Sequence, residues 1–578
     1  MTTPFEVVLR CPARGGWRLL QRPVAVLEAR DPAEVRDCLR SVAREVERTG
    51  CIAAGFVTYE AAAAYGFHTH APPAGALPLV AFGLFPPAHV TFVRGALPCG
   101  PYEAGPWVPS IDRPAYEAGV RTIRRHIEAG DAYQVNFTFR LRARFTGDPR
   151  GLFVRMHGAQ RGRWSAYVDA GRHAICSASP ELFFTARDGG ILCEPMKGTA
   201  PRGRSSDEDR DRALALRRSH KNRAENVMIV DVMRNDLGRI ASTGSVAVQR
   251  LFDVARYPTV WQMTSRVRAR SDAAFPEIVE ALFPPASVTG APKLRAAEII
   301  HALEDSPRGI YTGAIGVLEP GGRAAFNVAI RTVAVDRAAA CAEFGVGSGI
   351  VWDSDAADEY TECCLKAEVL EHAPPPVELL ETLAWTPQRG FELLERHLAR
   401  LRRSAAYFGL RCDRGAAVAA LEESVHGRDA PRRVRLVLDA QGRFHAASSP
   451  LPAALPIVRA ALAPAPVDPS DVWLYHKTTR RGLYEDARAA RPDCDETLLW
   501  NRAGELTEGT IANVVVQIGA RKVTPPVRCG LLPGTFRAEL LAGGQISEGV
   551  IRVEDLRRVR EFWTINSVRG WQRAVLVD

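Results

Sequence analysis

What this chain of 578 residues lacks narrows its class before any motif is considered. It has no apolar run near the ~20 residues that a membrane span needs. Its first residues, MTTPFEVVLRCPARGGW, carry no long apolar stretch of the secretory kind. These two absences lead us to expect a cytoplasmic location and no membrane partner. The 12 cysteines include no Cys-x-x-Cys pair, and Cys363 and Cys364 are adjacent, too close for an ordinary disulfide. They read as reduced thiols filling small core positions, with no part in metal binding or catalysis. Basic residues cluster at Arg400, Arg402 and Arg403 and again at Arg432, Arg433 and Arg435. No aromatic interleaving or zinc spacing accompanies them, so they read as solvated faces and no nucleic-acid partner is expected. No fixed-period repeat occurs. The net charge of +9, from 75 basic and 66 acidic residues, is a mild excess that suits small anionic ligands.

What is present is ordinary globular protein, 46% apolar and 24% charged. Single cores stop growing near ~250–300 residues, so two or three domains are expected. The seam is HAPPPVELLETL, where Pro374, Pro375 and Pro376 stop a helical pattern running from Asp358 to Glu371. We expect domains at 1–372 and 381–578, joined by a proline-rich linker over 373–380. A weaker break at 449–469 suggests a loop between two lobes. "GFVTYEAA" and "WSAYVDAG…AICSASPELFFTA" read as strands. "YEAGVRTIRRHIEAGD", "DRALALRRSHKNRAENVMIVDVMRNDLGRI" and "ELLERHLARLRRSAAYFG" read as helices, the last ending at Gly409. "ANVVVQI" reads as a strand. The fold class is α+β with antiparallel sheets.

Three features of the first part carry chemistry. Lys197 in EPMKGTAPRG stands before a glycine, where a turn can hold an amine rigidly; a surface-loop lysine is the plainer reading. Glu225 lies in one helix, and Glu359, Glu362 and Lys366 share a face of another at i, i+3 and i+7. Two carboxylates from separate helices can hold Mg²⁺, although surface ion pairing is commoner for such residues. Gly345, Gly347 and Gly349 let a backbone approach a ligand closely, or make only a tight turn. Arg331 breaks the apolar run FNVAI, and a half-buried guanidinium there wants a carboxylate from a substrate or from the protein.

Taken in order, "GFVTYEAAAAYG", "GDAYQVNFTFRL", "SASPELFF", "EPMKGTAPRG", "KNRAENVMIVDVMRNDLGRI", "FPPASVTGAPKLRAAEII" and "GSGIVWDSDAADEYTE" resemble the chorismate-utilising enzymes over residues 50–372. The resemblance implies a two-sheet α/β sandwich and Mg²⁺-bound chorismate. Carried over, Glu225 and Glu362 are the expected magnesium ligands. Tyr311, Arg331 and the backbone at Gly349 are expected to hold carboxylates, with Thr289 a further pocket residue. Lysine at 197 resembles the aminodeoxychorismate-forming members, where anthranilate-forming members have alanine. It implies an amine that adds covalently to C2 of chorismate, so that ammonia is directed to C4. Two departures stand out. Gln262 replaces a histidine common in relatives, and Ala29 replaces a serine of tryptophan-sensing ones. No glutaminase segment is visible, so a separate glutamine amidotransferase subunit is the expected source of ammonia.

In the second part, Lys477 follows an apolar stretch, Glu508 lies in GELTEGTIANVVV, and Gly534, Thr535 and Arg537 open an apparent helix. A lysine, a carboxylate and a glycine-led helix start suit pyridoxal phosphate, although each alone has an ordinary structural explanation. "LLETLAW", "LLERHLARLRRSAAYFG", "YHKTTRR", "EGTIANVV" and "GLLPGTFR" resemble the class IV aminotransferases of fold type IV, which include aminodeoxychorismate lyase as well as amino-acid aminotransferases. The resemblance implies Lys477 as the Schiff-base lysine and general base, and Glu508 as partner of the pyridine nitrogen. It implies a phosphate site from Arg400, the backbone at Thr535 and Phe536, and Ser567. Phe536 stands where relatives often have threonine, and the family's N-terminal hairpin is short or missing. The family commonly dimerises through this domain, so a homodimer is an open expectation. Consecutive chemistry is the simplest reason for the fusion: chorismate to aminodeoxychorismate to p-aminobenzoate, a folate precursor. The alternatives are an anthranilate- or isochorismate-type synthase joined to an amino-acid aminotransferase, or a chain with one non-catalytic domain.

Overall fold

Tight glycine turns at Gly171, Gly189 and Gly321–Gly322, all with positive φ, fold the first part of the chain into hairpins rather than parallel crossovers. The computed structural model describes residues 5–12, 14–371, 377–453, 455–556, 558–559 and 561–577. The chain forms two compact units. One holds Met1–Pro201 and Arg212–Pro374, and the other Pro375–Asp578 with Arg202–Asp211. The triple proline of the expected linker lies outside the described residues, and the strand Leu379–Thr386 already begins within the span assigned to that linker.

The first unit contains an 11-stranded and a 10-stranded sheet. Val7, Ile175, Phe56 and Ile315 bring side chains from both sheets into one core between them. The outer face of the larger sheet packs on the helices Arg113–Glu128, Pro149–Gln160 and Lys293–Leu303. The other sheet packs on Pro32–Thr49, His220–Gly238 and Phe275–Leu282. The layers are therefore helix, sheet, sheet, helix, the expected sandwich. Two local readings need correction. "GFVTYEAA" is strand only to Val57; the alanine-rich remainder turns into the short helix Tyr59–Tyr65, in keeping with alanine's helical preference. The single helix expected over 211–240 is two, Ser206–Arg218 and His220–Gly238. Ser219 ends the first and caps the second, its hydroxyl accepting from the Asn222 amide.

The second unit has a four-stranded sheet and a mixed eight-stranded sheet. In the smaller sheet Leu379–Thr386 pairs with Gly390–Phe391 as a short hairpin and with Arg432–Leu438. The helix Leu394–Phe408 packs on it and ends at Gly409, which takes the left-handed conformation expected of a cap. In Arg432–Leu438, alternation sends Val434, Leu436 and Leu438 into the core and Arg433 and Arg435 to the opposite face.

Candidate active sites

Lys197 lies on the strand Met196–Pro201, which pairs with Val260–Arg270 through a register shift between Met196 and Thr199. Gly198 makes that shift with φ +95, which side-chain-bearing residues rarely adopt. The Lys197 carbonyl accepts from Asn226 Nδ2 at 3.4 Å, tying the strand to the helix that carries Glu225. The lysine faces a cavity of about 330 Å³. On the opposite wall the three glycines sit within a strand, Cys341–Ile350, not in a turn. A Cβ at Gly349 would lie 2.8 Å from Lys197 Nζ, and one at Gly345 would lie 2.1 Å from the Tyr311 ring. Only glycine leaves room for the amine and the phenol to reach this strand.

Glu225, Glu359, Glu362 and Lys366 all line this cavity. Glu362 pairs with Lys366 at 2.5 Å, and Lys366 Nζ also donates to Gly347 O at 2.9 Å. Glu359 accepts from Ser354 Oγ at 2.7 Å. The Lys366 ammonium holds the Glu362 carboxyl below its usual range, whereas burial raises that of Glu225, with Glu359 and Glu362 adding repulsion. Among the described residues no cluster of three metal-ligating side chains is preformed. Glu225 and Glu362 nevertheless both line the cavity, and two carboxylates suit Mg²⁺, which keeps water and substrate oxygens as its other ligands.

Arg331 lines the same cavity with a non-glycine φ of +53. Its guanidinium donates to the Lys366 carbonyl. No carboxylate among the described residues lies within ion-pair distance of it, and burial pulls its pKa down to about 10. Tyr311 lines the wall nearby. Thr289, expected in the pocket, is fully buried behind it: its hydroxyl donates to Pro285 O at 3.0 Å, and Ser287 and Val288 form the wall instead. Gln262 Nε2 donates to Thr199 Oγ1 at 3.0 Å beside Lys197.

The sequence reading missed Glu181. It lines the cavity, accepts from Ser287 Oγ at 2.6 Å, and is pushed by burial up to about 7. Its signal was a lone carboxylate between Pro180 and the buried run LFF. Burial also lowers the Lys197 amine, against the pull of Glu225. An amine made easier to deprotonate and a carboxyl made harder to ionise thus share one cavity.

The second unit has a cavity of about 460 Å³ lined by Arg400, Lys477, Glu508, Thr535, Phe536 and Ser567, the residues expected there. Lys477 is anchored by its carbonyl, which accepts from the Leu380 amide at 2.9 Å. Burial, then Arg400 and Arg481, brings its amine down to about 8. Burial pushes Glu508 up to about 8; it accepts from Leu532 N at 3.1 Å and Tyr484 Oη at 2.9 Å. Buried without a paired cation, this carboxyl keeps its proton, and a protonated pyridine nitrogen would supply the missing partner. At the other end, the helix Thr535–Ala542 starts at Gly534 with no side-chain cap, leaving its first amides for an anion. Phe536 turns its ring toward Trp571, so only its amide can serve.

Two residues missed in the sequence hold this end together. Glu381 accepts from Arg400 Nε at 2.9 Å and Nη2 at 2.6 Å, and from His397 Nδ1 at 2.6 Å. With Nδ1 protonated, His397 Nε2 accepts from Ser567 Oγ at 3.0 Å and Thr535 Oγ1 at 3.1 Å. Burial opposes the charge on Glu381, but Arg400 and His397 outweigh it and hold the carboxyl at about 2. A carboxyl held that low stabilises the fold above its ordinary range and loses that contribution as pH falls toward 2. Replacing Glu381 by alanine is expected to cost about 3–5 kcal/mol, since a buried guanidinium is left unpaired. Thermal unfolding checks this: the gap between wild type and variant should narrow from neutral pH to about pH 3.

Two stretches of the chain match known families. Residues 99–372 match the family described as chorismate binding enzyme, and residues 378–577 match amino-transferase class IV. The chain is a fusion of a chorismate-binding enzyme domain with a class IV aminotransferase domain. It is 39% identical over 268 residues to aminodeoxychorismate synthase component 1 of Klebsiella aerogenes, covering 46% of this chain and 59% of that protein. It is 38% identical over 263 residues to an anthranilate synthase component 1 of Haloarcula marismortui, covering 45% of this chain and 53% of that one. The chain thus spans less than two thirds of these relatives. The crystal structure of anthranilate synthase component I from Streptococcus pneumoniae TIGR4 aligns with TM-score 0.53 and 25% identity, over 64% of this chain and 93% of that chain.

Proposed function

We propose that the first domain aminates chorismate at C4 to 4-amino-4-deoxychorismate, and that the second removes pyruvate from it to give p-aminobenzoate, a folate precursor. Overall identity does not separate aminodeoxychorismate from anthranilate formation, since relatives of both kinds match almost equally. The observation that carries the reading is the Lys197 amine, set against Gly349 in a cavity whose Arg331 lacks a carboxylate.

Arg331 and Tyr311 orient the substrate's carboxylates. The Lys197 amine, once it has lost its proton, adds to C2, the ring double bonds shift, and the C4 hydroxyl leaves as water with a proton from Glu181. Ammonia then adds at C4 and the C2–lysine bond breaks, which restores the diene. Glu225 and Glu362 would hold Mg²⁺, which supplies Lewis-acid help to the leaving hydroxyl when bound. Ammonia would come from a separate glutaminase subunit, as the designation component 1 of the relatives suggests.

In the second cavity, Arg400, the Thr535 and Phe536 amides, Ser567, Glu508 and Lys477 would hold pyridoxal phosphate, which supplies an electron sink when bound. The Lys477 amine removes the C4 ring proton, the C3–O bond breaks, pyruvate leaves, and the ring becomes aromatic. All twelve cysteines are free thiols, which supports a reducing, cytoplasmic location. Dimerisation through the second domain is part of this reading by family likeness. No helix among the described residues is long and apolar enough to cross a membrane.

The test is product analysis with chorismate, Mg²⁺, an ammonium salt and pyridoxal phosphate. Equimolar p-aminobenzoate and pyruvate are expected. 4-Amino-4-deoxychorismate alone would remove the lyase assignment, and anthranilate or isochorismate would overturn the synthase assignment.

A further inference from the structure

The cavity of the second unit carries more positive charge than pyridoxal phosphate and its anchoring account for. Beyond Arg400 and Lys477 its wall includes Arg433, Arg435, Arg480, Arg481 and Arg569, against the single carboxylate Glu508. Arg400 is already neutralised by Glu381. Arg480 lies over the Trp473 ring at 4.4 Å, and Arg481 over Tyr484 at 4.6 Å with Nη2 donating to the Thr510 carbonyl. Arg433 and Arg435 are different. They project two residues apart from one face of the small sheet, opposite Ala384 and Thr382 on one side and Ser449 and Ala447 on the other. These small neighbours leave the space above the strand open to the cavity. The sequence reading took the pair for a solvated face; the fold makes that face a wall. No carboxylate among the described residues pairs with either arginine, whereas Arg400 is ion-paired and Arg480 and Arg481 are stacked on rings.

An α-amino acid brings one carboxylate, on the same carbon as its amine. 4-Amino-4-deoxychorismate brings two. One stands para to the amine across the ring and the other on the ether arm, both distant from the nitrogen. Resting on the lyase reading above, we propose that Arg433 and Arg435 bind a carboxylate of this ring dicarboxylate and make the second domain select it over ordinary amino acids. Guanidinium groups suit this role because their fork of donors matches a carboxylate.

Both arginines line the cavity with exposed side chains and take no part in the core, so Arg433→Gln, Arg435→Gln and the double variant should fold. Supplied with 4-amino-4-deoxychorismate, the double variant is expected to show KM for pyruvate release raised about 10- to 100-fold, the worth of one or two charge-assisted contacts, with kcat little changed. Absorbance of bound pyridoxal phosphate and conversion of chorismate by the first domain should stay at wild-type level. A second readout needs no turnover. The probe is 3-(carboxymethoxy)benzoate, which has the two carboxylates and no amine. It should perturb the cofactor's visible band in wild type and bind the double variant more weakly by a similar factor, while benzoate distinguishes the two chains little. Unchanged KM and unchanged probe affinity in the double variant would overturn the proposal. Absence of pyruvate from the wild-type chain would instead remove the lyase reading, and the probe titration would still decide whether the arginines read a dicarboxylate.

Discussion

Chains carrying Lys197→Ala should form 4-amino-4-deoxychorismate at least about 10³-fold more slowly, the scale on which loss of a covalent nucleophile acts. The expected loss is in kcat, not in chorismate binding, because Arg331 and Tyr311 remain and alanine only enlarges a cavity already about 330 Å³ in volume. Liquid chromatography of the products with ammonium as nitrogen source measures it. The charge balance of the site predicts more. In its protonated form Lys197 offsets the charge of Glu225 and Glu362, so its removal should tighten binding of Mg²⁺ measured by calorimetry. Near wild-type amination by Lys197→Ala would show that ammonia adds directly and that the lysine is only a counter-charge. Lys197→Arg separates the two roles: it keeps a cation but has no nucleophile, and should be as inactive as alanine.

The second large effect is expected at Lys477. With Lys477→Ala the chain should still consume chorismate at the wild-type rate and accumulate 4-amino-4-deoxychorismate, with pyruvate release down by at least about 10³-fold. Pyridoxal phosphate should still bind, more weakly, because Arg400, Thr535, Ser567 and Glu508 are left in place. In wild type the pyruvate step should rise with pH through the Lys477 value of about 8, since the amine removes a proton only when it is neutral. A bound cofactor phosphate will move that midpoint upward by adding negative charge. Continued formation of p-aminobenzoate by Lys477→Ala would sink the assignment of this lysine as the base.

Much of this was legible along the chain. Lys197 before Gly198, the Glu359/Glu362/Lys366 face, Lys477 and Glu508 could be picked out because turns and helices impose short, fixed spacings. Glu181 and Glu381 could not. Each lies in or beside a strand among apolar residues, where one carboxylate looks like any other until its partners from distant segments are known. Ser287 meets Glu181 across 106 residues, and Ser567 meets His397 across 170. For Thr289 the motif suggested a pocket residue, and the fold buries it with its hydroxyl donating to Pro285 O. Arg433 and Arg435 looked solvated because alternation predicts only that they leave the core, not what lies above the face they reach.

By itself, then, the sequence determined the composition class, the two-family organisation, the elements, and the lysines and carboxylates able to do chemistry, because these depend on residue type and local periodicity. Tertiary structure alone decided which charges go unpaired, which carboxyls keep their protons at neutral pH, and which sheet face becomes a wall. Those properties depend on burial and on partners far away in the chain, and desolvation acts on a group only once the fold has closed around it.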